Sequence, residues 1–370
     1  MERQTLQLVA ALRASRAWDV HVASLQCEGP LAADLRQLGF ADIPCFPLRN
    51  LYGPGAVRQI LRLTNLLRRL RIDIVHTHDF YTNVVGICAA RLGRVPVRIA
   101  SRRELDVFTP AQRRVEHMAY RLASAVLANC AFLRDRLVAE GVGDAKAMVL
   151  FNAILPSRVS CPDPGAPGRL RREWDIPVTA PVIAMLANLY NERKDLITFV
   201  RAASAVTRSY PDAVFILAGG GNPRPVEQAV AACQPRPRVI TPGSLPEVGP
   251  LLNLCTISVL SSHTEGSSNA ILESMAAGRP VVATATGGTP ELVRDGGTGW
   301  LVPPADWVAM AGRIQGLLED EDMARRMGEQ GKALVYSQYS ADRQLRQLET
   351  IYETLRLNTS REPAPVREAT

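Results

Sequence analysis

The chain has 370 residues, of which 47 % are hydrophobic and 21 % are charged, so its composition is that of a folded protein with about two domains. Its net charge is +7, but no basic stripe is interleaved with aromatic residues, which argues against a nucleic-acid-binding protein. We identify neither a run of ~20 apolar residues that would span a membrane nor a signal peptide, and we expect a cytoplasmic protein.

Seven cysteines are scattered along the chain without C-x-x-C pairs. We interpret Cys88, Cys130, Cys233 and Cys255 as small apolar residues in a reducing compartment. Neither a Cys/His cluster with the spacing of zinc ligands nor a D-x-D motif at the end of a strand is apparent. We therefore expect no metal and no cofactor.

The first part of the chain alternates predicted helices with short apolar strands. The predicted helices cover residues 2–14, 31–38, 57–70, 84–92 and 115–123. The predicted strands cover residues 19–24, 73–76, 97–100, 125–128 and 147–150. Such alternation favours an α/β fold, in which helices cover a parallel sheet.

The predicted helix over residues 57–70 has an apolar face with basic surroundings. The apolar residues are Val57, Ile60, Leu61, Leu67 and Leu70, and the surrounding arginines are Arg58, Arg62, Arg68, Arg69 and Arg71. One interpretation is a helix that covers the sheet and exposes its arginines to water. The alternative is a peripheral contact with the inner face of a membrane, near a lipid-linked acceptor.

Composition also predicts the division of the chain into domains. A first domain over residues 1–155 precedes a linker over residues 156–180, which contains the run S-C-P-D-P-G-A-P-G. A second domain follows over residues 181–336. A last amphipathic helix is predicted over residues 342–357, and residues 358–370 are predicted to be a disordered tail.

The segment over residues 261–304 carries the clearest chemistry. Residues 256–260 are predicted to form a strand, and the run S-S-H-T-E-G-S-S that follows is predicted to be a polar loop. Residues 269–277 are then predicted to form a helix, with Ser267 or Ser268 as its N-cap. A second strand follows, so the unit is the right-handed crossover of a parallel sheet. Ligands of such sheets lie beyond the carboxyl ends of the strands, where the first N–H groups of a helix favour an anion.

Three carboxylates of this segment, Glu265, Glu273 and Glu291, suit a ligand that carries hydroxyl groups as well as phosphate. A carboxylate would repel a phosphate, whereas sugar hydroxyls donate to carboxylates in charge-assisted hydrogen bonds. One acid would hold a ribose and another a transferred sugar. The alternative for Glu273 is a solvated helix residue without a ligand. The segment therefore predicts a nucleotide-sugar site.

These motifs resemble those of the retaining glycosyltransferases of family 4, which have the GT-B fold. The resemblance rests on E-x7-E from Glu265 to Glu273, followed by M-A-A-G-R-P-V-V-A-T and G-G-T-P-E-L-V. Further matches are Lys194 in A-N-L-Y-N-E-R-K-D, the turn F-I-L-A-G-G-G, the strand D-I-V-H-T-H-D, and Asn152. A single E-x7-E is a weak signal, but this ordered set is specific.

The resemblance implies two Rossmann-like domains whose parallel sheets face each other across a cleft, the first binding an acceptor and the second a nucleotide-sugar. It implies that Glu265 contacts the transferred sugar, that Glu273 holds the ribose, and that Lys194 neutralises the departing diphosphate. On the acceptor side it implies His78 and Asp79. The other implied donor contacts are Asn188, Arg193, Gly266, Ser267, Ser268 and Asn269.

The sequence departs from the family pattern at several positions. It begins M-E-R-Q-T, which resembles the residues that follow the family's first strand, so that strand is missing and we expect the true start to lie upstream. Asn188 stands where many members have an arginine. Ser101-Arg102-Arg103 stands where some members have a cleft histidine. His78 remains at a strand end, and His76 points the same way.

The sequence therefore predicts an enzyme that moves a hexose from a UDP- or GDP-sugar to a glycan or lipid-linked acceptor, as in bacterial-type surface polysaccharide or glycoconjugate synthesis. The resemblance implies a same-face, retaining transfer that needs no divalent metal. The alternative is a catalytically silent nucleotide-sugar-binding protein, which the missing first strand, Asn188 and the absent cleft histidine favour.

Overall fold

The computed structural model describes residues 2–361, apart from residues 27, 49, 52, 106, 107 and 191. The chain divides into two compact units, one formed by residues 1–152 with 341–370 and the other by residues 153–340. Each unit has a parallel sheet with helices packed against it. The predicted α/β class with two Rossmann-like units is therefore confirmed.

The sheet of the first unit has four strands within the described residues, in the order β1-β2-β3-β4. The strands are β1 Ile74–His76, β2 Val97–Arg102, β3 Ala125–Ala128 and β4 Ala147–Val149. The helices of this unit are α1 Glu2–Ser15, α2 Pro30–Gln37, α3 Pro54–Arg69, α4 Phe80–Gly93, α5 Pro110–Leu122, α6 Ala131–Ala139 and α16 Ala341–Arg361. A 3-10 turn, Asp144–Lys146, precedes β4.

The last helix of the chain completes the core of this first unit. Leu348 and Ile351 of α16 pack with Leu8 of α1 against Val97 and Leu127 of the two central strands. Burying these side chains stabilises the return of the chain to its first unit. Because α16 continues to Arg361, residues 358–361 are helical and the prediction of disorder there is wrong; the rest of the predicted tail lies outside the described residues.

The predicted strand over residues 19–24 is not formed. Only Ser24 makes a bridge, with Cys45, and the residues before it are not assigned to a strand. A strand is stabilised by a ladder of hydrogen bonds along its partner, and this bridge supplies a single pair of residues. Among the residues that the structure describes, the cysteines with free thiols are Cys88, Cys130, Cys161, Cys233 and Cys255. Cys45, in contrast, is disulfide-bonded, which a reducing compartment does not predict.

Helix α3 buries only part of the apolar face that was predicted. Leu67 of that face is buried and Ile60 is partly buried, together with Leu63, which was not predicted. Leu63 and Leu67 pack against Val85 of α4, whereas Val57 and Leu61 are 58 % and 52 % exposed. The helix turns its Leu63 side inward because α4 packs there. The exposed side also carries Arg58, Arg62, Arg68 and Arg69. None of the helices in the described part of the chain combines the length and the apolar character needed to cross a bilayer.

The second unit has a six-stranded parallel sheet within the described residues, in the order β10-β9-β8-β5-β6-β7. Its strands are β5 Val182–Leu186, β6 Val214–Ala218, β7 Arg238–Gly243, β8 Ile257–Leu260, β9 Val281–Thr284 and β10 Gly299–Val302. Its helices are α7 Pro156–Val159, α8 Ala166–Glu173, α9 Leu196–Thr207, α10 Arg224–Ala231, α11 Gly249–Leu254, α12 Asn269–Ala276, α13 Thr289–Leu292, α14 Trp307–Glu319 and α15 Glu321–Gln338. The segment predicted as a linker, 156–180, thus contains α7 and α8.

The strand order of the second unit reverses between β5 and β8. From β5 the chain continues through β6 and β7 on one side of the sheet, and from β8 through β9 and β10 on the other. Helices that follow the two strands diverge to opposite sides of this point, and the carboxyl ends of the strands leave a crevice there. The loops after β5 and β8 are therefore where a ligand is expected.

Candidate functional site

Lys194 and Glu265 form an ion pair at the point where the strand order reverses. Lys194 ends the 3-10 turn Glu192–Lys194 in the loop after β5, and Glu265 lies in the loop after β8. The Lys194 Nζ and the Glu265 Oε1 are 2.5 Å apart, and the two side chains are 20 % and 10 % exposed. Burial of an unpaired charge is unfavourable, so each of these two side chains requires an opposite charge, either the other side chain or a ligand.

Serine hydroxyls and main-chain hydrogen bonds hold these two loops together. Ser262 Oγ donates to the same Oε1 of Glu265 at 2.6 Å, which fixes the direction of the carboxylate. Ser261 Oγ donates to the carbonyl oxygen of Lys194 at 3.0 Å. The main-chain N–H of His263 donates to the carbonyl oxygen of Arg193 at 2.7 Å. The two loops and the Glu265 carboxylate are thus held by hydrogen bonds in addition to the ion pair itself.

A glycine after β9 lets a third loop approach Glu265. A Cβ atom at Gly287 would lie 1.8 Å from the main-chain oxygen of Glu265, and the φ of Gly287 is +54°. Both the space and the backbone conformation therefore require glycine. The next residue, Gly288, donates its N–H to the same oxygen at 3.3 Å. The G-G-T-P-E motif thus supports the loop that carries Glu265.

Helix α12 begins four residues after Glu265, with buried Ser267 and Ser268 at its start. Ser268 occupies the N-cap position, one of the two predicted, but its hydroxyl makes no capping hydrogen bond. The macrodipole still favours an anion at this end of the helix. Gly266 is buried and Asn269 is partly buried.

Glu273, in the second turn of α12, is ion-paired with an arginine that the sequence did not indicate. Arg158 donates from Nε to Glu273 Oε1 at 3.0 Å and from Nη1 to the carbonyl oxygen of Pro246 at 3.1 Å. The Glu273 side chain is largely buried, so its interpretation as a solvated helix residue is wrong. The pairing leaves its predicted contact with a ribose untested.

The loop after β5 packs closely against the glycine turn after β6. A Cβ atom at Gly219 would lie 2.0 Å from the carbonyl oxygen of Ala187, so only glycine permits this approach. Asn188, which was predicted to contact the nucleotide-sugar donor, forms a hydrogen bond from its Nδ2 to Tyr190 Oη at 2.8 Å. Arg193, the other predicted contact of this loop, is partly buried beside Lys194.

In the first unit, His76, His78 and Asp79 lie at the carboxyl end of β1. His76 is hydrogen-bonded to Tyr352 Oη at 2.9 Å and to Ser101 Oγ at 2.8 Å, which is the arrangement of a core histidine. Its ring centroid is 4.3 Å from that of His78, so both side chains point the same way, as predicted. Asp79 caps α4 by accepting from the Thr82 N–H at 2.8 Å.

Burial keeps both imidazoles neutral. It lowers the pKa of His76 to about 3, with a further contribution from the positive charge of Arg103. The pKa of His78 is lowered well below its usual value by burial first and then by His76 and Arg103. In the described parts of the chain, no group of three or more His, Cys, Asp or Glu residues could hold a metal ion.

Two residues of the site were missed by the sequence reasoning. Arg158 lies in the proline-rich segment interpreted as a linker, and it is far from Glu273 in sequence, so no local signal connects them. Ser262 precedes Glu265 by three residues, and a hydroxyl so close to a buried acid could have been proposed as its hydrogen-bond donor. The structure brings together Lys194, Glu265 and the start of α12, as predicted for one site.

Comparisons with known proteins cover both units of the chain. A family model described as Glycosyltransferase Family 4 matches residues 1–158, and one described as Glycosyl transferases group 1 matches residues 168–334. Alpha-D-kanosaminyltransferase of Streptomyces kanamyceticus is 28 % identical over 330 residues, covering 84 % of this chain and 85 % of that protein. N-acetyl-alpha-D-glucosaminyl L-malate synthase of Bacillus anthracis is 28 % identical over 184 residues, which are 50 % of this chain and 48 % of that protein.

Solved structures resemble the whole chain. HepE of Anabaena, solved in complex with UDP and glucose, superposes with a TM-score of 0.83 at 19 % sequence identity and covers 95 % of both chains. A glycosyltransferase from Rickettsia africae superposes with a TM-score of 0.84 at 18 % identity and covers 96 % of this chain and 94 % of the other. At such low identity these likenesses show the fold.

Proposed function

Because the chain belongs to the glycosyltransferases of family 4 with the GT-B fold, we propose that it transfers a hexose from a UDP- or GDP-sugar, with retention, to a glycan or lipid-linked acceptor. The observation that carries this proposal is the ion pair between Lys194 and Glu265 at the reversal of the strand order. That is the position at which open α/β sheets bind nucleotides.

The ion pair gives the donor two complementary contacts. The diphosphate of a donor carries more negative charge than one carboxylate and competes with Glu265 for the ammonium of Lys194. Glu265, still held by Ser262, then accepts hydrogen bonds from hydroxyl groups of the transferred sugar. The start of α12 adds a favourable dipole for the phosphates.

The proposed transfer takes place on one face of the sugar. The bond between the anomeric carbon and the diphosphate oxygen breaks while the acceptor hydroxyl oxygen bonds to the same carbon. The departing diphosphate takes the hydroxyl proton, so the products are a nucleoside diphosphate and a glycoside. Lys194 and the α12 N-terminus stabilise the charge that develops on the leaving oxygens. Neither Glu265 nor Glu273 is assigned as the nucleophile that a double displacement would need.

Glu273 is proposed to hold the ribose of the donor, with Arg158 fixing its orientation. Arg158 donates from Nε to the Oε1 of Glu273. A carboxylate has about four lone-pair sites and so has capacity for ribose hydroxyls as well. The arginine also compensates the carboxylate charge, which reduces its repulsion of a nearby diphosphate.

A panel of UDP- and GDP-sugars tests the proposal, with release of nucleoside diphosphate as the measurement. At least one donor should be cleaved slowly without an acceptor and faster with one, and the product should keep the anomeric configuration. We propose that no divalent metal is needed, so activity should persist in excess EDTA. Loss of activity in EDTA that Mn²⁺ restores would contradict this part of the proposal.

The catalytically silent alternative is tested by the same panel. Asn188 supports that alternative, because it donates to Tyr190 and cannot supply the charge of an arginine to a diphosphate. A chain that binds UDP but releases none from any UDP-sugar, with or without glycan acceptors, would favour binding without catalysis.

We also propose that α3 makes a peripheral contact with an anionic membrane surface. Its exposed side presents Val57 and Leu61, one turn apart, next to Arg58 and Arg62. Apolar side chains beside arginines suit the boundary between acyl chains and anionic headgroups. Such a contact would bring the enzyme to a lipid-linked acceptor.

A further inference from the structure

The first unit contains a cavity of about 220 Å³ at the carboxyl ends of β1 and β2. The starts of α4 and α5 close its other sides. The residues that line it include His78, Ser101, Arg102, Arg103, Phe108 and Glu116. We call it the arginine pocket, after Arg102 and Arg103. At ~30 Å³ for each water, it has room for several water molecules or for a tetrahedral anion.

Three polar atoms of this pocket are buried without a hydrogen-bond partner among the described residues. They are the Nε atoms of Arg102 and Arg103 and the Nδ1 atom of His78. An arginine Nε–H can only donate, and a buried donor is rarely left unsatisfied in a folded protein. Three such atoms around one cavity indicate a ligand that accepts hydrogen bonds.

The two arginines of the pocket differ in how their charge is compensated. Arg102, which is 6 % exposed, is ion-paired with Glu140, and Glu116 accepts a hydrogen bond from Tyr120 Oη at 2.7 Å. Arg103 is only 7 % exposed, and its Nη1 donates to Asn152 Oδ1 at 3.1 Å. Within the described residues Arg103 makes no ion pair with a carboxylate.

A buried guanidinium without a counter-charge is unfavourable unless an anion binds it. Burial lowers the pKa of Arg103 to about 10, so the side chain still carries its charge at neutral pH. The lining also includes three carboxylates: Asp79 caps α4, Glu116 accepts from Tyr120 Oη, and Glu104 lies at the cavity wall, and within the described residues none of them forms an ion pair with Arg103. Arg103 is therefore the group whose charge a bound oxyanion would compensate.

We infer that the arginine pocket binds a phosphate or carboxylate oxyanion carried by the acceptor, held by Arg103 with Arg102 and His78. The inference rests on the proposed function, because it names the chemical class of the acceptor. An arginine presents its Nε–H and Nη–H groups as a fork that matches an oxyanion. The neutral imidazole of His78 supplies a further hydrogen bond through Nδ1.

Calorimetric titration of the full-length chain with inorganic phosphate, in saturating UDP, tests the pocket separately from the donor site. Wild type should bind phosphate, and Arg103→Gln should weaken that binding at least ~10-fold, the loss expected for a charge-assisted hydrogen bond. The matched control is Arg113→Gln, an exposed arginine of α5, which should change phosphate affinity less than ~2-fold because exposed charges are screened. Equal phosphate affinity in wild type and Arg103→Gln would overturn the inference.

The titration with UDP distinguishes the two sources of an oxyanion. If the acceptor supplies it, the affinity for UDP is the same in Arg103→Gln and in wild type. If UDP binding falls together with phosphate binding, the pocket binds the donor diphosphate and the acceptor assignment is wrong. If wild type binds phosphate but no UDP, the proposed function fails while the pocket stands.

Thermal unfolding separates a binding role from a structural role of Arg103. Phosphate should raise the melting temperature of wild type but not that of Arg103→Gln, since a ligand stabilises only the protein that binds it. Without phosphate, Arg103→Gln should melt at the same or a higher temperature, because an uncompensated buried charge is removed. A lower melting temperature would show a structural role and contradict the inference. If this variant does not fold, Arg103→Lys, which keeps the charge but loses the fork, should fold and bind phosphate more weakly than wild type.

Discussion

Arg158 of α7 and Glu273 of α12 form an ion pair across 3.0 Å, far apart in sequence and both largely removed from solvent. The pair ties the first helix of the second unit to the helix that follows the loop of Glu265. An ion pair of this kind restricts the orientation of the carboxylate. We regard Arg158 as a positioning residue for Glu273.

Arg158→Gln should weaken UDP binding by about 3- to 10-fold, because Glu273 loses the charge-assisted hydrogen bond that orients it. Glu273→Gln should weaken it by ~10-fold or more, through loss of ribose contacts. The double variant should be no weaker than Glu273→Gln alone, since the two residues act through one contact. Additive losses by calorimetry would show that Arg158 acts independently of Glu273.

Substitutions of Glu265 and Glu273 should change different quantities: the first should lower turnover and the second should lower the affinity for UDP. Glu265→Gln should lower kcat by ~100-fold, because its contacts with the transferred sugar are proposed to strengthen in the transition state, while UDP affinity stays close to that of wild type. Glu273→Gln should mainly raise the Kd for UDP. Glu192→Gln, an exposed acid two residues before Lys194, is the matched control and should change neither quantity. Unchanged UDP binding in Glu273→Gln would refute the ribose assignment.

Local patterns in the sequence predicted the elements that carry the donor site. The strand after Thr256, the polar loop and the helix that opens at Asn269 were placed to within about one residue, since N-cap and glycine signals mark their ends. The family resemblance placed Lys194 and Glu265 in one site, and the structure shows that they form an ion pair between loops that leave neighbouring parallel strands.

What the sequence could not supply were contacts between distant segments. Nothing local shows that Arg158 meets Glu273, or that α4 selects the Leu63 side of α3 for burial. The arginine pocket could not be predicted either, because its lining residues come from separate segments of the sequence. The sequence shows the departure at Ser101-Arg102-Arg103, but only the folded chain shows that the Nε atoms of the two arginines lack a hydrogen-bond partner.

Gly287→Ala should disrupt the loop that carries Glu265. The new Cβ would lie 1.8 Å from the Glu265 main-chain oxygen, and alanine is strained at the positive φ of this position. The strain alone costs about 1–2 kcal/mol, and the clash forces the two loops apart. Gly312→Ala is the control, because no atom lies within 4 Å of the new Cβ and alanine has a higher helix propensity than glycine, which should stabilise α14. The melting temperature and the rate of donor cleavage should both fall in Gly287→Ala, and neither should fall in Gly312→Ala. Normal activity of Gly287→Ala would show that the close approach is not required.

Acidification should destabilise the first unit through its two histidines. The pKa of His76 in the folded protein is about 3, against 6.5 for an ordinary histidine, so below pH 6.5 the unfolded chain binds protons that the folded chain does not. The free energy of unfolding therefore falls as the pH is lowered from 6.5 toward 3, and this stability is fully present above pH 6.5. Urea unfolding at several pH values should show a shallower loss in His76→Gln than in wild type. Equal slopes would contradict the neutral, buried state of His76.

The exposed side of α3 should determine binding to membranes. Val57→Asp places a negative charge in the apolar surface next to Arg58, so binding to vesicles of anionic phospholipid should fall by ~10-fold or more in a sedimentation assay. Val178→Asp is the matched control, because Val178 is also an exposed valine but belongs to the second unit and is not part of α3. Binding should depend on anionic lipid and weaken as salt is raised, since arginines supply part of the attraction. If both variants bind vesicles as wild type does, α3 is only a helix that covers the sheet, and its arginines serve solubility.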